Sequence, residues 1–579
     1  MYQYPQYHNF DLDPRISVSG FHDAVAEGEE ALLRALRRQM AEGGKRICME
    51  LYPGVDEAKI LGMLSQLDDT TILRSEDARL SQEALREQFA EAITDDRVFG
   101  IMSCALLRDC FDPVELRELS AKVDAAEGPV IVVGVGASLA MPEPDCLWYW
   151  DVTRWEIQLR YRRGAGTWMA GALDGQQLTK YKVGFFIEWR MADRQKRALM
   201  ERVDCWVDAN SPDNPRMIGR DAYQAALDQA AAKPFRMQAY YDPSVWGGQW
   251  MKRVFGLDPS VSNYGWSFDG VPEENCLKFD FGDGYAVFPA MNLVLSRSQQ
   301  LLGEHVYGRF GAEFPIRFDY LDTMEGGNLS LQVHPLTQYI QQKFGMHYTQ
   351  DESYYILDAT EDSCVYLGVK PGIAPGEFRQ ALEQAQAGEE PLDVKKYVNC
   401  IPVAKHDHVL IPAGTVHCSG KDTVVLEISS TPYIFTFKLW DWGRIGLDGL
   451  PRPIHIEHGM ANIQFDRDTD WVKRQLVHQE RTLVSDSAGM VEHTGLHNLE
   501  FIETRRYTLR GERTVDCADS VTVVNLVEGP EGLIRSVDGS FKDLVVHYGE
   551  TFIIPASVGQ FKLSPAGKAN IMFIAASVR

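Results

Sequence analysis

Four polar residues in separated segments have the types and spacing of a metal site. Gln332 and His334 lie two positions apart in the segment NLSLQVHP, and Glu352 opens the strand-like run ESYYIL. His417 follows a Pro-Ala-Gly-Thr-Val turn after an apolar run. Two imidazoles, a carboxylate and an amide oxygen form a mixed nitrogen and oxygen set that suits a divalent metal such as zinc. Taken singly, a histidine at a strand end is an ordinary hydrogen-bonded residue, so the pattern counts only as a set.

The residues around the first pair predict a β-strand that positions it. The odd positions of 329–333 are apolar, and the even positions of 328–334 are polar. Because side chains alternate between the two faces of a strand, Gln332 and His334 point the same way. Pro335 ends the strand because it lacks a backbone N–H. One face of this strand is therefore predicted to lie in a core and the other to line something polar.

Together these motifs resemble those of a known family. The Gln-x-His pair and the later Pro-x-Gly-x-x-His resemble the two sequence motifs of cupin barrels. With their flanks, the segments FPIRFDYLDTMEGGNLSLQVHP, DESYYIL and PAGTVH look like parts of class I mannose-6-phosphate isomerases. The resemblance spans roughly residues 240–579, and the C-terminal part matches loosely.

The resemblance implies both a fold and an activity. The fold would be two tandem cupin (jelly-roll) β-barrels, the second without a metal. The activity would be zinc-dependent aldose–ketose isomerisation of mannose 6-phosphate and fructose 6-phosphate through a cis-enediol. The implied small-molecule partner is thus a sugar phosphate, and one zinc ion per chain would be held by Gln332, His334, Glu352 and His417.

A later segment carries two cations that the resemblance places at the active site. In TFKLWDWGR, Lys438 lies on one face of a predicted strand and Arg444 follows in phase. The family has a final arginine in a similar motif, which implies a catalytic role for Arg444, and another cation where Lys438 stands. A guanidinium can stabilise negative charge or hold a phosphate. The alternative is that Arg444 forms a salt bridge at a strand end.

Two positions depart from the family pattern. Gln350 and Asp319 stand where the family commonly carries lysines, and Arg317 lies two residues before Asp319 on the same strand face. The phosphate contacts are therefore left open by the sequence. The proton-transfer base is also open, with His406 and His408 as candidates only because they precede PAGTVH in the chain.

The first 234 residues predict a different kind of structure. Residues 1–23 form a polar arm, and helical and strand-like segments alternate over residues 24–234, as in an open α/β sheet. The segment resembles a degenerate P-loop kinase domain of the nucleoside-kinase type. A Gly134-Val-Gly136-Ala-Ser138 turn follows the apolar strand PVIVVG, but no Gly-Lys-Ser/Thr comes after it. A scaffold or interaction role is favoured over catalysis.

The domain prediction is completed by the two all-β parts. Residues 235–469 would form the metal-binding cupin domain with helical insertions, and residues 470–579 the second barrel. ETFIIPASVGQFKL echoes HVLIPAGTVHCSG, but Gln560 and Phe561 stand near the place of a metal histidine. The whole chain is thus predicted to be multidomain, α/β followed by all-β.

Charge and cysteine usage limit the partners and the compartment. The net charge of −24 over 579 residues argues against nucleic-acid binding, which needs a basic surface. The ten cysteines include no Cys-x-x-Cys pair, which favours reduced thiols. Without a signal peptide or a membrane-length apolar run, the sequence predicts a cytoplasmic protein with no membrane partner.

Two rival functions remain open at this point. One is another metal-dependent cupin enzyme, either an isomerase of a different sugar phosphate or an oxygenase. The other is a catalytically silent sugar-phosphate sensor that uses its kinase-like domain to contact a partner. Retention of all four ligand types and of the arginine argues against the sensor.

Overall fold

The fold is given by a computed structural model that describes residues 2–169, 171, 177–430, 435–447, 449, 452–495 and 497–579. One apolar core runs through the N-terminal domain and the first barrel, and a second lies inside the C-terminal barrel. Across the described ranges, no helix combines the length and the apolar character that a membrane span requires.

The N-terminal domain contains a seven-stranded sheet whose central strands are parallel. The strand Val130–Gly134 is apolar and completely buried, as expected for a parallel strand covered on both faces. In spatial order the strands are Ala26–Glu27, Arg216–Gly219, Cys205–Asp208, Cys146–Asp151, Arg46–Leu51, Val130–Gly134 and Thr71–Arg74.

Several helices in this domain begin at residues whose side chains cap them. Asp112 accepts two backbone N–H groups of the first turn of Pro113–Ala125, and Thr153 caps Arg154–Arg162 in the same way. The α-helices are Glu29–Ala41, Glu57–Leu64, Gln82–Gln88, Ala90–Ile93, Pro113–Ala125, Ala137–Ala140, Arg154–Arg162, Gln177–Val183, Trp189–Leu199 and Arg220–Ala231, with a π-helical turn at Gly184–Glu188.

In the loop after Val130–Gly134, where a nucleotide phosphate would bind, two backbone amides are already occupied by a carboxyl group of the same domain. The Glu50 carboxylate accepts the N–H groups of Gly136 at 2.7 Å and Ser138 at 2.8 Å. Burial raises the pKa of Glu50 to about 7, although these hydrogen bonds favour the charged form. These hydrogen bonds occupy amides that could otherwise cradle a phosphate, and the scaffold or interaction role of this domain stays a prediction.

The first barrel is built from a six-stranded and a five-stranded sheet. Its long strand Asp351–Ala359 pairs antiparallel with strands on both sides, which fixes the register of the residues it carries inward. The six-stranded sheet has the order His408–Ile411, Asp351–Ala359, Thr423–Ser430, Arg317–Asp322, Trp266–Gly270 and Tyr240–Asp242. The five-stranded sheet has the order Val398–Pro402, Cys364–Val369, His417–Ser419, Leu331–Val333 and Phe437–Trp440.

Short helices and a small sheet surround this barrel. The N-terminal arm contributes Ile16–Ser17, which pairs parallel with Cys276–Asp280, and this strand pairs in turn with Tyr285–Pro289. The helices are Trp250–Val254, Met291–Ser296, Ser298–Leu302, Glu304–Phe310, Thr337–Phe344, Pro375–Gln386, Val394–Tyr397, Ile456–Asn462 and Thr469–Gln475.

The C-terminal barrel also consists of two antiparallel sheets. Its larger sheet packs against the first barrel, where Tyr320 donates its hydroxyl to the carbonyl of Gly549 at 2.6 Å. The larger sheet has the order Arg481–Asp486, Gly489–Gly495, Ile502–Leu509, Ile571–Val578, Thr522–Glu528 and Thr551–Ile554. The smaller sheet has the order Arg513–Asp516, Gln560–Pro565, Glu531–Ser536 and Leu544–His547.

Candidate metal centre

Three of the four sequence-predicted ligands meet inside the first barrel. His334 lies just after the strand Leu331–Val333, Glu352 lies in Asp351–Ala359, and His417 opens His417–Ser419. Their ligand atoms all lie within 4.8 Å of one another, and all three residues are buried. The Nε2 atoms of His334 and His417 lie 3.1 and 2.6 Å from the two carboxylate oxygens of Glu352. This cluster could bind a metal ion.

The second nitrogen of each imidazole fixes the direction of the ring. Nδ1 of His334 lies 2.9 Å from the carbonyl oxygen of Phe435, and Nδ1 of His417 lies 2.8 Å from that of Thr415. Each Nδ1 therefore carries the proton and donates it, which leaves the Nε2 lone pair directed toward Glu352. Within the described ranges, Nε2 of His334 and one oxygen of Glu352 have no hydrogen-bond donor or acceptor. Buried lone pairs that converge in this way fit a divalent cation.

Gln332 borders this cluster rather than lying inside it. Its side-chain nitrogen is 3.2 Å from Nε2 of His417, and the two residues are paired in neighbouring strands. Rotation of the amide by 180° would direct its oxygen toward the same point. Gln332 is thus placed where a fourth ligand is expected, and its ligation remains a prediction.

The two positions that depart from the family pattern form a buried polar layer behind the cluster. Gln350 donates to Glu352 at 3.2 Å and to Glu427 at 3.3 Å, and Arg317 donates to Asp319 at 3.0 Å. Burial raises the pKa of Asp319 to about 6 against the attraction of Arg317. Burial and the nearby Asp319 and Glu352 raise the pKa of Glu427 well above its usual range. Protonation therefore limits the negative charge in this layer.

A cavity of about 330 Å³ opens beside the metal cluster. It is the size of a small-molecule site and combines polar and apolar walls. The strands Leu331–Val333 and Phe437–Trp440 supply Gln332 and Lys438 to it, and Ser330 and Thr436 lie just before these strands. Further barrel residues line this side of the cavity, among them Arg317, Leu329, Gln350, Glu427, Gly446, Leu447, Arg452 and Pro453.

Comparisons with known proteins connect this barrel with one class of enzyme. The chain is 25% identical over 260 residues to mannose-6-phosphate isomerase ManA of Bacillus subtilis, covering 45% of this chain and 75% of that protein. It is also 25% identical over 231 residues to a mannose-6-phosphate isomerase of Streptococcus mutans, covering 40% and 67%. About half of this chain is homologous to mannose-6-phosphate isomerases.

Two further comparisons cover the fold and the N-terminal domain. A crystal structure of the mannose 6-phosphate isomerase from Bacillus subtilis aligns with 59% of this chain and 99% of its own, at 19% identity and a TM-score of 0.48. Residues 28–232 match a family model described as a domain of unknown function (DUF8485). The predicted relation of this domain to P-loop kinases stays a prediction.

The two cations predicted for the site occupy different places. Lys438 lines the cavity, and burial together with the nearby Arg452 lowers its pKa to about 7 against attraction by Asp441. Arg444 instead donates to the carboxylate of Asp441 at 2.6 Å and to the carbonyl of Asn328 at 2.7 Å. These contacts correspond to the salt-bridge alternative, and its catalytic role remains a prediction.

Arg452, which the sequence did not single out, lines the cavity and donates to the other oxygen of Asp441 at 2.6 Å. Arg452 lies outside the alternating pattern of the predicted strand, so strand periodicity did not single it out. The WDWGR motif pointed to Arg444 instead.

The two histidines considered as bases lie elsewhere. His408 is buried between Ser353 and Thr494, with ring nitrogens 2.9 and 3.0 Å from their hydroxyls. His406 contacts Tyr355 at 2.9 Å and Glu528 at 3.3 Å, in the contact between the two barrels. Their proximity to PAGTVH in sequence does not bring either ring to the cavity, because the strand His408–Ile411 directs His408 to its outer face.

Proposed function

We propose that this protein is a metal-dependent aldose–ketose isomerase that interconverts mannose 6-phosphate and fructose 6-phosphate through a cis-enediol, with zinc as the metal. The observation that carries the proposal is the convergence of His334, Glu352 and His417 beside a cavity rich in cations. Homology to mannose-6-phosphate isomerases over about half of the chain supports the same activity.

The ligand set supports zinc over harder cations. Two neutral imidazoles with fixed tautomers and one carboxylate are typical zinc ligands, and Gln332 is close enough to complete the set. When bound, zinc would polarise the oxygens at C1 and C2 of the sugar as a Lewis acid. The residues that would hold it are those of the predicted quartet.

The remaining residues of the cavity would bind the phosphate and steady the charge that develops on the sugar. No carboxylate lies within ion-pair distance of Lys438 among the described residues. Its pKa is lowered to about 7, and an anionic substrate in the cavity would favour its charged form. Arg452 presents a guanidinium oriented by Asp441. Such preorganised donors stabilise charge without reorganisation during the reaction.

A coupled assay of fructose 6-phosphate formation from mannose 6-phosphate tests the proposal. Wild-type protein analysed for metal is expected to contain one zinc ion per chain and to turn over. His334→Ala should lose metal and activity together, whereas Lys438→Met should keep its metal and lose at least about tenfold in kcat/KM. His408→Asn, outside the cavity, is the control that should retain activity.

The outcomes separate the proposal from its rivals. A zinc-loaded wild type that binds hexose 6-phosphate without turning it over would refute the isomerase and favour the sensor. Turnover of a different sugar phosphate would retain the reaction class and change the substrate. Activity that requires oxygen would indicate an oxygenase instead.

A further inference from the structure

The larger sheet of the C-terminal barrel ends in a strand that has a neighbour on one side only. Among the described residues, Arg481–Asp486 pairs with Gly489–Gly495 and forms one edge of the six-stranded sheet. It is exposed at all six positions, which is true of no other strand in the described ranges. The outward N–H and C=O groups of such an edge are a template on which a further strand can pair.

The composition of this strand favours association. Leu483 and Val484, at its centre, are each 41% exposed. The segment RTLVSD contains neither lysine nor proline, which are residues that often keep an edge strand single. Aliphatic side chains beside unpaired backbone groups therefore form a surface that another strand can cover.

An extra residue, Leu483, puts the two charged ends of the strand on one face. Arg481 and Asp486 pair with residues 493 and 489 of the neighbouring strand. Because these partners are four apart, they share a face, and so do Arg481 and Asp486. In a regular strand, residues five apart would point to opposite faces, and the register shift at the bulge reverses this. Thr482 and Ser485, which pair with residues 492 and 490, share the other face.

Two copies of this strand are complementary when they pair antiparallel about a twofold axis. Such an axis stands perpendicular to the sheet and leaves each face on its own side, so residues that oppose each other must share a face. In the register centred between Leu483 and Val484, Arg481 opposes Asp486 of the second copy, and Thr482 opposes Ser485. Both pairs meet the requirement, and each dimer would contain two facing ion pairs.

The charges of the strand are consistent with this contact. Arg481 forms no ion pair within the described ranges. Asp486 accepts a hydrogen bond from Arg513 of its own chain, and its side chain is 45% exposed. A carboxylate accepts several donors, so this bond leaves room for a second cation. In a chain of net charge −24, an edge with one cation and one anion in self-complementary order does not repel a second copy locally.

We propose that this protein forms a twofold-symmetric dimer in which the strands Arg481–Asp486 of two chains pair antiparallel and join the larger sheets of their C-terminal barrels. None of the residues of this strand lines the cavity beside the metal cluster, so the contact does not rest on the function proposed above. An edge contact of this length buries less surface than a standard interface, and the dimer is therefore expected to form in the micromolar range.

Sedimentation velocity of the full-length protein over about 1–300 µM, in salt that screens long-range repulsion, measures the dimer. Wild type is expected to change from one to two chains per particle. Arg481→Glu and Asp486→Arg each place like charges opposite each other and should raise the dissociation constant at least about tenfold. The two substitutions together exchange the charges and should restore it to within about threefold of wild type.

A matched control and a positional test complete the experiment. Arg505→Glu makes the same change of charge on the exposed face of the inner strand Ile502–Leu509 and should dimerise like wild type. Thr482→Cys combined with Ser485→Cys places thiols opposite each other in the proposed register, and mild oxidation should link two chains. Either cysteine substitution alone lacks a facing thiol and should not cross-link above wild type. Within one strand the two thiols lie roughly 10 Å apart, too far for a disulfide.

The outcomes decide between this dimer and its alternatives. A wild type that stays a single chain at every concentration would leave the edge to a strand of another protein and would overturn the proposal. A dimer that Arg481→Glu does not weaken is formed by another surface, with the same consequence. If the charge variants and the cross-link disagree, or a charge variant does not fold, the cross-link decides, because it depends on position alone.

Discussion

The buried carboxylate of Glu50 makes the stability of the N-terminal domain depend on pH in a direction that can be worked out. Its pKa rises from an ordinary 4.5 to about 7 in the folded protein because burial disfavours the charge. Between these values the folded state binds more protons than the unfolded state. Stability contributed by this group is therefore complete below about pH 4.5 and is lost as pH rises through about 7.

The size of the effect follows from the same two values. A difference of one pKa unit corresponds to about 1.4 kcal/mol, so the full loss is about 3 kcal/mol, of which about 2.5 kcal/mol falls between pH 5 and pH 8. Glu50→Gln stays neutral and keeps one acceptor for the N–H groups of Gly136 and Ser138. Relative to wild type, the variant should thus gain about 2.5 kcal/mol of stability on going from pH 5 to pH 8.

Urea denaturation at pH 5 and pH 8 measures this difference for the unfolding of the N-terminal domain. Because both proteins share every other titrating group, subtraction of the two pH profiles isolates Glu50. Glu30→Gln, which removes an exposed carboxylate of the same domain, is the control and should follow the wild-type profile. If Glu50→Gln also follows the wild-type pH profile, Glu50 is fully ionised at neutral pH in the folded protein. The conclusion that burial raises the pKa of Glu50 would then be wrong.

Three further predictions concern the barrels. Gly248→Ala should destabilise the protein by several kcal/mol, because a Cβ there would lie 2.1 Å from the Asp322 carboxylate, and a shifted thermal midpoint measures it. Tyr320→Phe should cost about 1–3 kcal/mol in chemical denaturation, since the hydroxyl that contacts Gly549 and Asn525 between the barrels is lost. If zinc is bound as proposed, its removal with a chelator should lower the thermal midpoint of wild type but leave that of His334→Ala unchanged, and re-added zinc should restore only the wild type.

The cluster of His334, Glu352 and His417 could be predicted from sequence because the chemistry of a metal site restricts both residue type and spacing, and metal binding by this cluster remains a proposal. The alternation of polar and apolar residues before Pro335 placed Gln332 and His334 on one face of a strand. The other two predicted ligands, Glu352 and His417, lie in the motifs ESYYIL and PAGTVH, which are equally clear. In the structure the regular strand is shorter, Leu331–Val333, and its register with Phe437–Trp440 shifts between Leu331 and Gln332. The backbone shift leaves His334 directed at Glu352 all the same.

What could not be predicted depends on contacts between distant parts of the chain. No local pattern indicates that Arg162 and Lys438 line one cavity, or that Glu50 caps a loop 86 residues away. The arginine motif pointed to Arg444, whereas the arginine of this segment that lines the cavity is Arg452. Tertiary packing decides such positions, and side-chain periodicity carries no information about it.

The adjacent residues Glu273 and Glu274 indicate that the N-terminal domain and the first barrel cannot be expressed as separate stable proteins. Glu273 is 7% exposed and forms ion pairs with Arg154 and Arg190, both from the N-terminal domain. A barrel made alone would lose both ion pairs of Glu273 and would expose the part of the shared apolar core that the N-terminal domain covers. Truncation should therefore yield insoluble fragments, and co-expressed fragments should regain solubility only by reassociating.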